Sequence, residues 1–134
     1  MLSLRRGDGS VYLTVERNRA DNWIHAHWYG RQTLSTVMDG GLSYLEMLRQ
    51  TPCPRLLNDH RDLVGTFIEA NEWIEQVWTP LVITAGLRYI GQVVSPDIFG
   101  QLAIENLQTR IGDVLDMHMF DSLEAAQAWL RVQP

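Results

Sequence analysis

The chain contains no lysine: all eleven of its basic residues are arginine. This removes the phosphate-loop lysine of nucleotide-binding motifs, the Schiff-base lysine of pyridoxal and aldolase chemistry, and any lysine general base. Cysteine is nearly absent too. Cys53 stands alone between Pro52 and Pro54, which excludes an internal disulfide and a thiolate metal cluster and gives no sign of an activated thiol. Long apolar runs are missing. The longest mostly apolar stretch, Val77 to Gly86, is broken by Thr79, Pro80 and Thr84 and falls far short of the ~20 residues of a membrane span. The opening MLSLRRGDGS has two arginines but no apolar segment after them, so it does not read as a secretory signal and a cytoplasmic location is expected. A net charge of −5 with dispersed arginines offers no attraction to nucleic acid or to an anionic membrane. Neither a G-x-S-x-G nucleophile elbow nor a glycine-rich phosphate loop occurs.

What remains is an ordinary globular composition, 46% hydrophobic and 20% charged, with no biased tract that would prevent folding. At 134 residues the chain suits a single domain over 1–134 that buries about 68% of its unfolded surface, with residues 1–10 as a flexible lead-in. VYLTVERN alternates Val11, Leu13 and Val15 against Tyr12, Thr14 and Glu16. WIHAHWYG alternates Ile24, Ala26 and Trp28 against Trp23, His25, His27 and Tyr29. Both have the period of a half-buried strand, and RADN between them makes a hairpin.

From Thr33 to Gln50, apolar residues at Leu34, Val37, Met38, Leu42, Leu45 and Leu48 predict an amphipathic helix. Gly40 and Gly41 weaken it by about 1 kcal/mol each, which close approach to the sheet would justify. RLLND reads as a short strand, followed by a polar loop through Asp62. Thr66 and Glu69 fit a capping box for a second helix through Trp73 and Trp78, and Thr79-Pro80 starts a further turn that stops at Gly86. LRYIGQVV is a strand, Ser95-Pro96 opens a helix, VLDMHMF is the last strand, and a helix capped by Asp121 or Ser122 ends the chain. The order β-β-α-β-α-β-α-β-α predicts an α/β domain with a mainly parallel five-stranded sheet and an N-terminal hairpin.

On this element order, on LLNDHRDLVGTFIEANEWIEQVW and on the terminal MFDSLEAAQAWL, the chain resembles the STAS / SpoIIAA-like family of small bacterial proteins. The resemblance implies a β-α superhelix, a fold shared by anti-sigma-factor antagonists and by CRAL-TRIO lipid carriers, which work by binding. The antagonists carry a phosphorylated serine or threonine after the third strand. Here that place reads Asp59-His60-Arg61-Asp62-Leu63-Val64-Gly65-Thr66, without a serine, and Thr66 is already engaged as a cap.

Asp59, His60, Arg61 and Asp62 lie at the carboxyl end of a strand and before a helix, where open α/β sheets place ligands. With Thr66 and Trp73 they form the first candidate site for a ligand or partner. In the structural alternative Asn58 and Asp59 cap a turn, Arg61 bridges the carboxylates and Gly65 supplies a positive φ. Trp23, His25, His27 and His118 are secondary candidates: His25 and His27 share a strand face, as do Asp116 and His118, and such a face suits a His/carboxylate metal site, although histidines are more often solvated than ligating. Trp73 and Trp78, five apart on an α-helix, point about 140° from each other, so one of them should reach a groove, a pocket or a partner. The leading expectation is a non-enzymatic regulatory module without cofactor or metal that recognises a protein or a small apolar ligand. Its alternatives are a metal-dependent hydrolase using His25, His27, Asp59 and His60, and a homodimer joined through exposed tryptophans.

Overall fold

The alternating segments form antiparallel neighbours, β2 (Val11–Asn18) and β3 (Trp23–Gly30), with Leu13 opposite Trp28 and Val15 opposite Ala26. The computed structural model describes residues 1–134. Where a lead-in was expected, Leu2–Arg5 pairs antiparallel with β2 as a further strand, β1. β4 (Arg55–Leu63), β5 (Tyr89–Val93) and β6 (Asp116–Phe120) then continue the sheet, each parallel to the strand before it. The sheet is therefore mixed and has six strands instead of the expected five, in the order β1-β2-β3-β4-β5-β6, with its last three pairings parallel and its first two antiparallel.

Three helical connections link the parallel strands: α1 (Leu34–Gln50), a composite helix α2 over 68–84, and α3 (Ile98–Ile111). Crossovers of the usual right hand that always step in one direction leave their helices on one face. The main core lies there, between Leu13, Val15, Ile24, Ala26, Trp28, Leu56 and Ile90 of the sheet and the inner sides of all three helices. The last helix, α4 (Leu123–Arg131), crosses to the other face and seals a smaller core of Trp23, Leu57, Val93, Ala126 and Leu130. Because the strand order never reverses, the sheet has no switch-point crevice of the kind in which doubly wound sheets hold ligands.

Helix ends depart from the expected caps in instructive ways. The Thr66–Glu69 box does not form: Thr66 Oγ1 accepts from Ile68 N at 3.1 Å, while Glu69 Oε1 accepts from Leu34 N at 3.2 Å, across to the start of α1. That helix has its own reciprocal cap in Thr33 and Thr36. α3 is capped by Asp97, not Ser95, whose hydroxyl donates instead to Leu63 O at 2.9 Å. α4 is capped by Ser122.

α2 is one winding helix, not two. It opens with a tight turn at Ile68–Ala70 and widens at Ile74–Trp78, where Thr79 N–H reaches the Ile74 carbonyl five residues back. Pro80 follows directly. Its ring would collide with the carbonyl four residues earlier in a regular helix, and the widened turn relieves that clash. The extra residue in the turn also swings Trp78 onto the side of Trp73. Both indoles meet Gly41, so the 140° separation expected of a regular helix does not exist. None of the five tryptophans is fully exposed: Trp23, Trp28 and Trp78 are buried, and Trp73 and Trp129 are half-buried.

The glycine pair of α1 has two separate reasons. A Cβ on Gly40 would strike the Trp28 ring and lie 2.8 Å from Leu13 Cδ2; one on Gly41 would lie 3.0 Å from Trp78 Cδ1. The first notch seats the helix on the sheet and the second seats α2 on α1. Gly40→Ala should therefore destabilise the protein by about 1–3 kcal/mol despite the gain of about 1 kcal/mol in helix propensity, read as a lower urea midpoint with an unchanged slope.

Candidate functional site

β4 is the third-from-last strand of the sheet, flanked on both sides and covered on both faces, a position in which near-continuous apolar sequence is the norm. Its second half is instead Asn58-Asp59-His60-Arg61-Asp62. These residues are strand, not loop, and they divide between the two faces.

On the face away from α1, α2 and α3, Asp59 has no exposed side-chain surface. His25 Nε2 lies 2.9 Å from its Oδ2, and the Arg61 guanidinium grips both oxygens, with Nε 2.9 Å from Oδ1 and an Nη 2.7 Å from Oδ2. Burial alone would raise the carboxyl pKa. The bonds from His25 and Arg61 outweigh it and hold Asp59 ionised, well below the usual carboxylate range.

A bulge completes this cluster. His27 is paired with Asp59 but Tyr29 with Asp62, so β4 uses three residues where β3 uses two. The inserted residue frees the Arg61 N–H to donate to Asp59 Oδ1 at 3.1 Å and turns Asp62 to the same face, 2.7 Å from His27 Nε2. The Tyr29 hydroxyl lies 3.0 Å from His27 Nδ1. Re-aiming side chains in this way is a usual role of bulges.

His25, His27 and Asp59 each place one ligating atom within 4.8 Å of the others. Asp62 orients His27 as outer carboxylates orient metal-bound imidazoles. Arg61 works against a cation there, because its guanidinium already occupies both Asp59 oxygens. His60 and His118 take no part. His60 faces the opposite side of the sheet, and His118 sits on β6, stacked on Trp129 at 4.4 Å and 3.0 Å from Asp116. Trp23 is structural, buried at 1% exposure beneath the Arg131 guanidinium. Thr66 is exposed and belongs to neither group of residues. Cys53 is buried, and burial raises its thiol pKa.

Beneath β4, toward the three helices, lies a cavity of about 40 Å³. Fourteen of its nineteen lining residues are hydrophobic, among them Trp28, Phe67, Trp73 and Trp78. Its polar wall is a chain: Trp28 Nε1 donates to Asn58 Oδ1 at 3.0 Å, and Asn58 Nδ2 reaches Gln92 Oε1 at 2.7 Å and His60 Nε2 at 3.1 Å. His60 is 4% exposed and its Nδ1 has no partner. Burial, only partly offset by the Asp59 charge, pushes its pKa down to about 3, so the ring is neutral.

Of the six first candidates, the structure thus brings Asp59, Arg61 and Asp62 together with His25 and His27 on one face, and His60 with Trp73 at the cavity on the other. Gln92, Trp28 and Tyr29 were not among the site candidates, and Asn58 was expected only to cap a turn. A glutamine inside the apolar YIGQVV strand was the one visible signal. Comparison with family models, curated proteins and solved structures finds no match for this chain.

The depressed pKa of His60 has a testable sign. Between pH ~6.5 and ~3 the unfolded chain binds a proton that the folded ring refuses, so His60 contributes stability that is complete above ~6.5 and lost as pH falls toward 3. Asp59, also depressed, adds a loss only below about pH 4. Urea unfolding between pH 7.5 and 4.5 should show stability falling by up to about 1.4 kcal/mol per pH unit from His60, and His60→Phe should flatten that slope by the same amount.

Proposed function

We propose that the protein is a non-enzymatic binding module of SpoIIAA-like build that takes a small, mainly apolar molecule into the cavity between β4 and its helix layer. The observation that carries this reading is the His60 Nδ1, a buried polar atom without a partner on a residue that lines a mostly apolar space. Interiors pair nearly all their buried polar groups, and an apolar pocket with a few convergent polar atoms is the usual form of a small-ligand site. The superhelix proposal draws on the unreversed strand order and on the three crossover helices gathered on one face. That β4 runs on through the corresponding stretch to Leu63 and contains no serine supports a reading without a phosphoserine switch.

Native mass spectrometry of protein purified gently from its host is expected to show a small adduct that is lost on unfolding. Dissolved xenon should give a saturable shift in ¹²⁹Xe NMR that Leu107→Phe, which fills the lining, abolishes. A bare mass together with no saturable xenon site would sink the proposal.

A second reading rests on the His25, His27 and Asp59 ligand set: a metal-dependent hydrolase. The Arg61 fork on Asp59 disfavours it. Calorimetric titration with Zn²⁺ should show no stoichiometric uptake; one equivalent bound by the native chain and lost in His25→Ala and His27→Ala would put the metal reading in its place.

A further inference from the structure

The protons beneath β4 can be assigned from the hydrogen bonds alone. An indole N–H only donates, so the Asn58 atom facing Trp28 Nε1 must be the carbonyl oxygen, as it is found at 3.0 Å. The Asn58 amide is thereby fixed, and its two N–H groups point at Gln92 Oε1 and His60 Nε2. Gln92 agrees, since its own Nε2 donates onward to Val93 O at 3.2 Å. Flipping either amide would set donor against donor. His60 Nε2 is consequently an acceptor, and the neutral ring carries its one proton on Nδ1. The cavity wall therefore ends in an N–H donor with no acceptor.

We infer that the ligand of this cavity is a small neutral molecule with an apolar body and one hydrogen-bond acceptor, of the ketone, aldehyde or ester class, whose oxygen accepts from His60 Nδ1–H; the inference rests on the cavity being the binding site. A carboxylate is excluded because no arginine lines the space to offset its desolvation. Water answers the site poorly, since a buried water needs two to four polar partners and the remaining lining is mostly apolar. The volume limits size: about 40 Å³ corresponds to two or three water-sized spheres, which suits a molecule of a few heavy atoms.

The test uses butanone and 2-methyl-1-butene, near-isosteres that differ in the carbonyl oxygen, titrated into the wild-type protein and followed by NMR. Long-range ¹H–¹⁵N spectra should first show His60 with a protonated Nδ1 and a bare Nε2. Butanone should then bind at least about tenfold more tightly than the alkene and shift the His60 Nδ1 resonance, while His60→Phe should bind both alike. The reverse tautomer, or equal binding of the two probes to wild type, overturns the acceptor assignment while leaving the cavity a ligand site. Binding of neither, with no xenon response, removes the site and this inference with it.

Discussion

The indole N–H of Trp28 can only donate, and the polar order beneath the sheet depends on that restriction. It fixes the Asn58 amide at 3.0 Å, which fixes the roles of Gln92 and His60 in turn. Such a chain is tolerated in the middle of a sheet because each member but the last is satisfied by its neighbour. A partly satisfied buried network is otherwise worse than an apolar core. The sequence of donors and acceptors has a direction, and it runs out at the His60 Nδ1.

The two faces of β4 are joined by its bulge. One inserted residue frees the Arg61 N–H for Asp59 and turns Asp62 toward His27. It also returns Leu63 to the cavity lining after Asn58 and His60. Without it, strict alternation would send Asp62 to the helix side, where a carboxylate would meet the apolar cavity wall. The bulge is therefore what allows five polar residues in a row to occupy a covered strand. The buried Asp59 charge is answered on its own face by Arg61 and His25, so the cavity face stays uncharged.

Much of this architecture was legible and some of it could not be. Alternation located β2, β3 and β6, periodicity located α1, and the glycine pair correctly implied close approach, though Gly41 meets α2 and not the sheet. The short strand RLLND was expected to end at Asp59, with His60-Arg61-Asp62 in a loop, because polar runs seldom enter central strands. The partners that make it a strand, His25 and Gln92, each lie 34 residues from the atoms they bind. Local pattern was overridden at Glu69, whose carboxylate finds Leu34 N in another helix. The angle between Trp73 and Trp78 assumed a regular helix, and the Thr79-Pro80 pair that was read as a restart is what distorts the turn. LSLR was too short and too close to charge to announce β1.

The remaining question is why a void survives where packing could have closed it. Part of its wall is made of rings held in place: Trp28 is tied to Asn58, Trp78 Nε1 donates to Gly41 O at 3.1 Å, and Tyr44 stands edge-on between the two indoles at 6.4 and 5.8 Å. A void of 40 Å³ costs about 1 kcal/mol, and an unpaired buried donor costs a further 1–3 kcal/mol. For a domain whose whole stability is on the order of 5–15 kcal/mol, these are two sizeable losses at one place, both bordering the same hydrogen-bonded chain of Trp28, Asn58 and His60.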